Sequence, residues 1–241
     1  MDRIAVELAE YLAQFLQSTD PSARLLVGIA GVPASGKSTL VQHIVDYLND
    51  TLPLGNEPSR TDDTTRKDVA VSVGLDGWHL TRAQLDALPD PKLAHDRRGA
   101  HWTFDAVAYV DFVRVLRQPR SEEVIYAPTF SHVIKDPTPY AVPVFAHNRI
   151  VLIEGLYTFL GITPWRTAAE MLDERWWIDV SEEEAQKRLV ARHVESGVAK
   201  ELEEAMWRSR ENDAPNGRFI KENMLKPTKI IHSVEDPRFS S

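Results

Sequence analysis

Gly31-Val32-Pro33-Ala34-Ser35-Gly36-Lys37-Ser38 decides how this chain is read. It fits the phosphate-binding pattern G-x-x-x-x-G-K-[ST]. Glycine lets the backbone close around an anion, and successive N–H groups then face the phosphate oxygens. Lys37 has the reach for the β- and γ-phosphates, and the Ser38 hydroxyl suits a magnesium ion. Gly31, Val32, Pro33, Ala34, Ser35, Gly36, Lys37, Ser38 and the following Thr39 are therefore the expected nucleotide-binding run. Leu25 to Ala30 before it reads as a strand buried on both faces. Leu40, Val41, Ile44, Val45 and Leu48 after it recur at helical spacing. The start of that helix adds its positive end to the phosphate site.

Outward from this loop, strands and helices alternate. Val69 to Leu75 is apolar and β-branched and ends at Asp76-Gly77-Trp78-His79. Arg149 to Ile153 is a second buried strand, closed by Glu154-Gly155. Trp176 to Val180 is a third, and Lys229 to Ile231 a short last one. This alternation predicts an α/β fold with a mostly parallel sheet. Asp105 is placed to cap a helix through Leu116, and Ser181 with Glu184 forms a capping-box pattern for a helix through His193. Val124 to Tyr126 and Phe130 to Ile134 flank Ala127-Pro128-Thr129 and read as an excursion from the main sheet. Pro53 to Lys67 reads as a surface loop. Ile4, Leu8, Leu12 and Phe15 mark an amphipathic N-terminal helix over residues 2–17.

Bulk properties narrow the function classes. The chain has 241 residues, a formal net charge of −8 and no cysteine. Such acidity disfavours a nucleic-acid-coating surface. The lack of cysteine suits a reducing compartment, and a cytoplasmic location is expected. No apolar run is long enough to span a membrane. A homo-oligomer is left open.

In open parallel sheets, ligands lie beyond the carboxyl ends of the strands. Asp76 falls there and can act as general base toward an attacking hydroxyl; a plain Asp-Gly turn is the other reading. Glu154 falls where a Walker-B acid is expected, acting on magnesium through water, or else as a cap or ion pair. Arg188 and Arg192 lie four apart on one helix and either neutralise the transferred phosphoryl or belong to a solvated face paired with Glu182 to Glu184. No N-K-x-D stretch for reading guanine is present.

With these pieces in order, the chain resembles the uridine kinase/phosphoribulokinase/type I pantothenate kinase superfamily of P-loop kinases. The matching residues are the Gly31–Ser38 loop, Leu75-Asp76-Gly77-Trp78-His79, Arg97-Arg98-Gly99 with Phe104-Asp105, Tyr126 through His132, and Ile153-Glu154-Gly155-Leu156-Tyr157. Arg210-Glu211-Asn212-Asp213-Ala214-Pro215-Asn216 resembles an R-x-N-D-x-P-N element of one branch. The resemblance implies a nucleoside-monophosphate-kinase-like core, with a five-stranded parallel sheet flanked by helices and a lid at about 182–215. The acceptor-side region spans about 76–148, all within a single kinase domain. It implies ATP and Mg²⁺, Asp76 as base, and Asp76 and Glu154 near the metal through water. Lys37, Arg188 and Arg192 take catalytic roles, and His79, Arg97, Arg98, His132, Asp76 and Glu154 surround the acceptor.

One departure stands out. Where relatives of pantothenate kinase carry Pro-Glu after the Arg-Arg-Gly loop, this chain has His101-Trp102, suited to stacking on a ring-shaped acceptor or to packing. The expected activity is transfer of the γ-phosphoryl of ATP to an alcohol hydroxyl, first of a nucleoside such as uridine. A pantothenate- or sugar-type acceptor comes next. An ATP-binding switch with slow hydrolysis and no acceptor is the alternative from another class.

Overall fold

Strand β1 (Leu25–Gly31) is buried at every residue and forms the centre of the computed structural model. The structure describes residues 2–52, 68–131, 133–195, 206 and 209–233. Around β1 lie β2 (Ala70–Gly74), β5 (Ile150–Glu154), β6 (Glu174–Asp179) and β7 (Lys229–His232), in the order β2-β5-β1-β6-β7, all parallel. The two remaining strands, β3 (Ile125–Ser131) and β4 (Asp136–Val144), form a separate antiparallel hairpin.

The continuous apolar run of β1 follows from burial on both faces. Leu25, Val27 and Ile29 point to one side, where they meet α1 (Asp2–Ser18) and α2 (Lys37–Thr51). Leu26 and Ala30 point to the other, against α5 (Ala106–Leu116) and α6 (Trp165–Glu170). Side chains alternate across a strand, so a strand covered twice must be apolar throughout. The five apolar positions foreseen in α2 are all buried. On α1, Ala5, Leu8, Ala9 and Leu12 form the inward stripe. Burying each leucine contributes roughly 1.5–3 kcal/mol as an upper bound.

Helix α1 is also tied by polar contacts. Tyr11 Oη donates to Glu174 Oε1 at 2.7 Å, and Trp176 Nε1 donates to Glu174 Oε2 at 2.8 Å. Thr228 donates to the same carboxylate. Glu174 is buried, and these donors offset its desolvation.

Between β2 and β5 the chain leaves the sheet altogether. It makes a 3₁₀ turn (Leu75–Trp78), helices α3 (Arg82–Asp86) and α4 (Pro91–Asp96), a second 3₁₀ turn (His101–Thr103), α5, and then the hairpin. Asp105 Oδ1 accepts from Ala108 N at 2.9 Å, the expected cap. Ala127-Pro128-Thr129 does not interrupt the excursion; it is a bulge inside one continuous β3. Proline has no N–H for the ladder, so the register shifts there.

Past β6, Ser181 Oγ caps α7 (Glu182–Glu195) by accepting from Glu184 N at 3.2 Å. A π-turn (Ser209–Asp213) leads into α8 (Ala214–Asn223). The expected loop over residues 53–67 and most of the expected helix over 201–210 lie outside the described residues. None of the described helices is long and apolar enough to cross a membrane.

Candidate active site

The loop between β1 and α2 is shaped by two left-handed residues, Ala34 at φ 61° and Gly36 at φ 91°. Gly36 stands at the N-terminal end of α2, where the helix's free N–H groups point into the loop. Gly31 is needed for a different reason: a Cβ there would come within 2.6 Å of Ser35 Oγ and 3.0 Å of Ile178 O. Ser35 Oγ is fully enclosed, and it has no hydrogen-bond partner among the described residues. Lys37 Nζ reaches back across the loop to Val32 O at 3.2 Å. This glycine-lined cradle, its lysine and its helix end fit a bound triphosphate.

Two carboxylates stand beside the loop. Glu154 ends β5 and lies in register with Ile29 of β1 and Gly74 of β2. Its Oε1 accepts from Ser38 Oγ at 3.1 Å. Asp76 follows two residues after Gly74, on the 3₁₀ turn, with its side chain 59% exposed. His79 Nδ1 lies 2.8 Å from the Asp76 carbonyl oxygen and 3.9 Å from its Oδ1. The His79 ring is held over Phe104 at 3.9 Å between centroids, with Phe130 at 5.0 Å. The turn is pressed onto the hairpin: a Cβ on Gly77 would fall 2.4 Å from Pro128 O.

Ser38, Glu154 and Asp76 suit magnesium as oxygen donors. Among the described residues no cluster of three or more histidines or carboxylates forms a metal cage. A hydrated magnesium that arrives with phosphates needs only one or two protein ligands.

The other expected site residues are spread more widely. Arg98 is committed within the acceptor-side region. Its Nη2 donates to Leu80 O at 2.8 Å and pairs with Asp136 Oδ1 at 3.0 Å, Nη1 donates to Lys135 O at 2.6 Å, and the guanidinium lies over the Phe130 ring. Arg97 Nη1 donates to Glu211 O. Arg188, expected over the triphosphate, instead joins Glu184 Oε1 at 2.6 Å and Ser233 Oγ at 2.9 Å, beside the end of β7. A short ion pair four residues along its own helix holds it there. The Glu184 carboxylate is thereby turned toward Arg188. His132 and the Arg192 side chain lie outside the described residues.

His101 is packing: its ring stacks on Phe219 at 4.5 Å and 7°. Trp102 is exposed. Burial lowers the His101 pKa. Burial first, then the Asp213 charge, pushes the Tyr157 phenol upward, and its hydroxyl donates to Gly99 O at 3.0 Å.

The R-x-N-D-x-P-N element supplies contacts that residue types alone did not assign. Asn212 Nδ2 donates to Arg98 O at 2.9 Å, beside Gly99, whose φ is 109°. Gly217 of α8 approaches Val32 of the loop, where a Cβ would sit 3.0 Å from Val32 Cγ1. Between the loop, α7 and α8 lies a cavity of about 360 Å³. Its walls include Val32, Pro33, Val180 and Leu189, and its polar margin Arg210, Asp213, Arg218 and Lys221.

Known proteins share both sequence and fold. No family model matches the chain. A Schizosaccharomyces pombe protein named as a candidate uridine kinase, C227.14, is 34% identical over 211 residues, spanning 88% of this chain and 84% of its own. The ATP-dependent kinase YFH7 of Saccharomyces cerevisiae is 30% identical over 199 residues, 70% of this chain and 56% of its own. Its solved structure superposes with a TM-score of 0.80, covering 96% of this chain and 99% of that one at 23% identity. A Silicibacter sp. TM1040 structure, described as a candidate fructose transport system kinase, gives a TM-score of 0.76 at 25% identity, over 94% of this chain and 98% of that one. At 34% identity over 88% of its length with the first of these relatives, the chain belongs to the uridine kinase-like family of P-loop kinases.

Proposed function

We propose that this kinase transfers the γ-phosphoryl group of ATP to a hydroxyl of a small molecule, in the first instance a nucleoside such as uridine. The observation that carries the reading is the row formed by Ser38 in the first turn of α2 and by Glu154 and Asp76 at and just beyond the carboxyl ends of β5 and β2. A phosphate cradle with a carboxylate beside it and a second, exposed carboxylate one strand further on has the parts of a phosphoryl-transfer site.

Lys37 and the loop amides hold the β- and γ-phosphates. Ser38 and Glu154 would hold Mg²⁺, which when bound would neutralise charge on the phosphates. Asp76 orients the acceptor hydroxyl and takes its proton as the new phosphorus–oxygen bond forms and the bond to the β-phosphate oxygen breaks. The apolar cavity wall at Val180 and Leu189 suits the base of the nucleotide, with Arg210, Arg218 and Lys221 facing its phosphates. Arg192 and His132 are proposed as lid and acceptor contacts by family resemblance. Positioning and charge stabilisation supply most of the rate.

A sugar hydroxyl is the second reading, favoured by the Silicibacter relative. The test is ADP release from Mg·ATP across uridine, cytidine, fructose, ribose and pantothenate, with Lys37→Ala alongside. Stimulation by one acceptor in the wild type and none in Lys37→Ala supports the proposal. Slow hydrolysis that no acceptor stimulates would favour the nucleotide switch instead.

A further inference from the structure

Arg24 sits immediately before β1, at the opposite end of the sheet from the phosphate loop, roughly 20 Å away along a seven-residue strand. It is only 2% exposed. Its Nε and Nη2 are enclosed and have no hydrogen-bond partner among the described residues. A guanidinium in that setting carries a heavy desolvation cost, and buried charges are almost always paired.

The surroundings add positive charge rather than balance it. Arg120 donates through Nε to Pro21 O at 3.2 Å and through Nη1 to Ala146 O at 2.5 Å. Arg149 donates to Ala23 O at 3.1 Å and Asp20 O at 3.2 Å. All of these acceptors are neutral carbonyls of the chain around Arg24. Arg117 brings its own partner, Asp173, at 2.9 Å. The nearby Asp20 carboxylate accepts from Ser22 N and Ser22 Oγ, each at 2.7 Å, and its charge favours the Arg149 cation at the rim rather than the buried Arg24. Burial first and the Arg120 charge second lower the pKa of both Arg24 and Arg149. An anion that accepts from guanidinium groups would offset this concentration of positive charge.

We infer that Arg24, Arg120 and Arg149 form an oxyanion site for a phosphate group, separate from the phosphate loop. Arg24 is its buried floor. Arg120 and Arg149 are its half-buried rim, closed by the exposed Pro21-Ser22 turn. The ligand class is inorganic phosphate or a phosphate monoester, which have the charge and oxygens to accept from several guanidinium groups at once.

Thermal midpoints measured against inorganic phosphate, with sodium chloride at matched ionic strength, test the site. The phosphate loop contributes its own increment, so the informative quantity is the part lost on substitution. Arg24→Met keeps the side chain's length and removes the charge. In chloride it is expected to melt higher than the wild type, because an unpaired buried charge is gone. In phosphate it is expected to gain less than the wild type. Arg120→Ala, at the rim, is expected to lose the same share while folding normally. Equal phosphate increments in all three proteins, or a lower chloride midpoint for Arg24→Met with its increment intact, would overturn the site. A larger increment with glycerol 1-phosphate than with inorganic phosphate assigns it to a monoester, and the reverse to free phosphate.

Discussion

The Ser38 hydroxyl donates to Glu154 Oε1 across 3.1 Å, joining the first turn of the loop helix to the end of a strand 116 residues later. Glu154→Gln keeps an oxygen for that contact and removes the charge. The expected result is a magnesium requirement raised roughly 10- to 100-fold, as for other outer-sphere ligands. ADP release titrated with MgCl₂ measures it, and an unchanged half-saturation would separate Glu154 from the metal.

Asp76→Asn should bind ATP as before and lose at least about 10²-fold in kcat, the usual worth of a positioned base. Nucleotide binding by calorimetry and turnover under saturating acceptor give the two readouts. Turnover at the wild-type rate would remove Asp76 from proton transfer.

Gly77→Ala places a methyl where Pro128 O now stands, at 2.4 Å. Backbone cannot yield as a flexible side chain can, so the substitution is expected to cost about 1–3 kcal/mol. Because the same turn carries Asp76, kcat should fall along with the thermal midpoint. A variant with wild-type stability and rate would show that the hairpin does not hold the turn.

Asn212→Ala removes the hydrogen bond to Arg98 O. A loss of about 1 kcal/mol in positioning corresponds to a KM for acceptor raised about 5-fold, with kcat little changed. Rescue by Asn212→Asp is not expected, since that side chain cannot donate. Steady-state kinetics with the acceptor varied decides it.

His101 has its pKa lowered from 6.5 by burial against Phe219 and Tyr157. Its contribution to stability is therefore full above pH 6.5 and is lost as pH falls through the lowered folded value. Thermal midpoints should drop between neutral pH and about pH 5 in the wild type, and drop less in His101→Phe, which keeps the stack and cannot charge. Identical pH profiles would mean that His101 takes up its proton equally in the folded and unfolded states, and so that burial does not penalise its charge.

The parallel sheet was legible because its signals are local. The buried run of β1, the five apolar positions of α2 and the apolar strand before Glu154 each report burial directly. The hairpin partner β4 was not read, because Pro137, Pro139 and Pro143 argue against a strand and only the open edges of a two-stranded ribbon tolerate them. Helices α3 and α4 were not read, although Thr81 with Gln84 forms a capping box and Asp90-Pro91 is a helix start. Those were the signals available. The site was half legible. Residue type and spacing pointed to Lys37, Ser38, Asp76 and Glu154, and helical spacing also offered the Arg188–Glu184 pair, whereas Asp136 beside Arg98 and Ser233 beside Arg188 come from segments far away in sequence.

The long departure after β2 comes back as β5, and these two strands are hydrogen-bonded neighbours. The two strands are parallel, with Ala70 beside Ile150 and Gly74 beside Glu154, so the insert leaves at the phosphate-loop end of the sheet and re-enters at the other end, roughly 13 Å back along the strand. A segment whose two ends are pinned to neighbouring strands can be exchanged as a cassette without re-threading the sheet. On the proposed roles, acceptor preference among such kinases can diverge by replacing this one insert, while the residues that grip the nucleotide stay where they are.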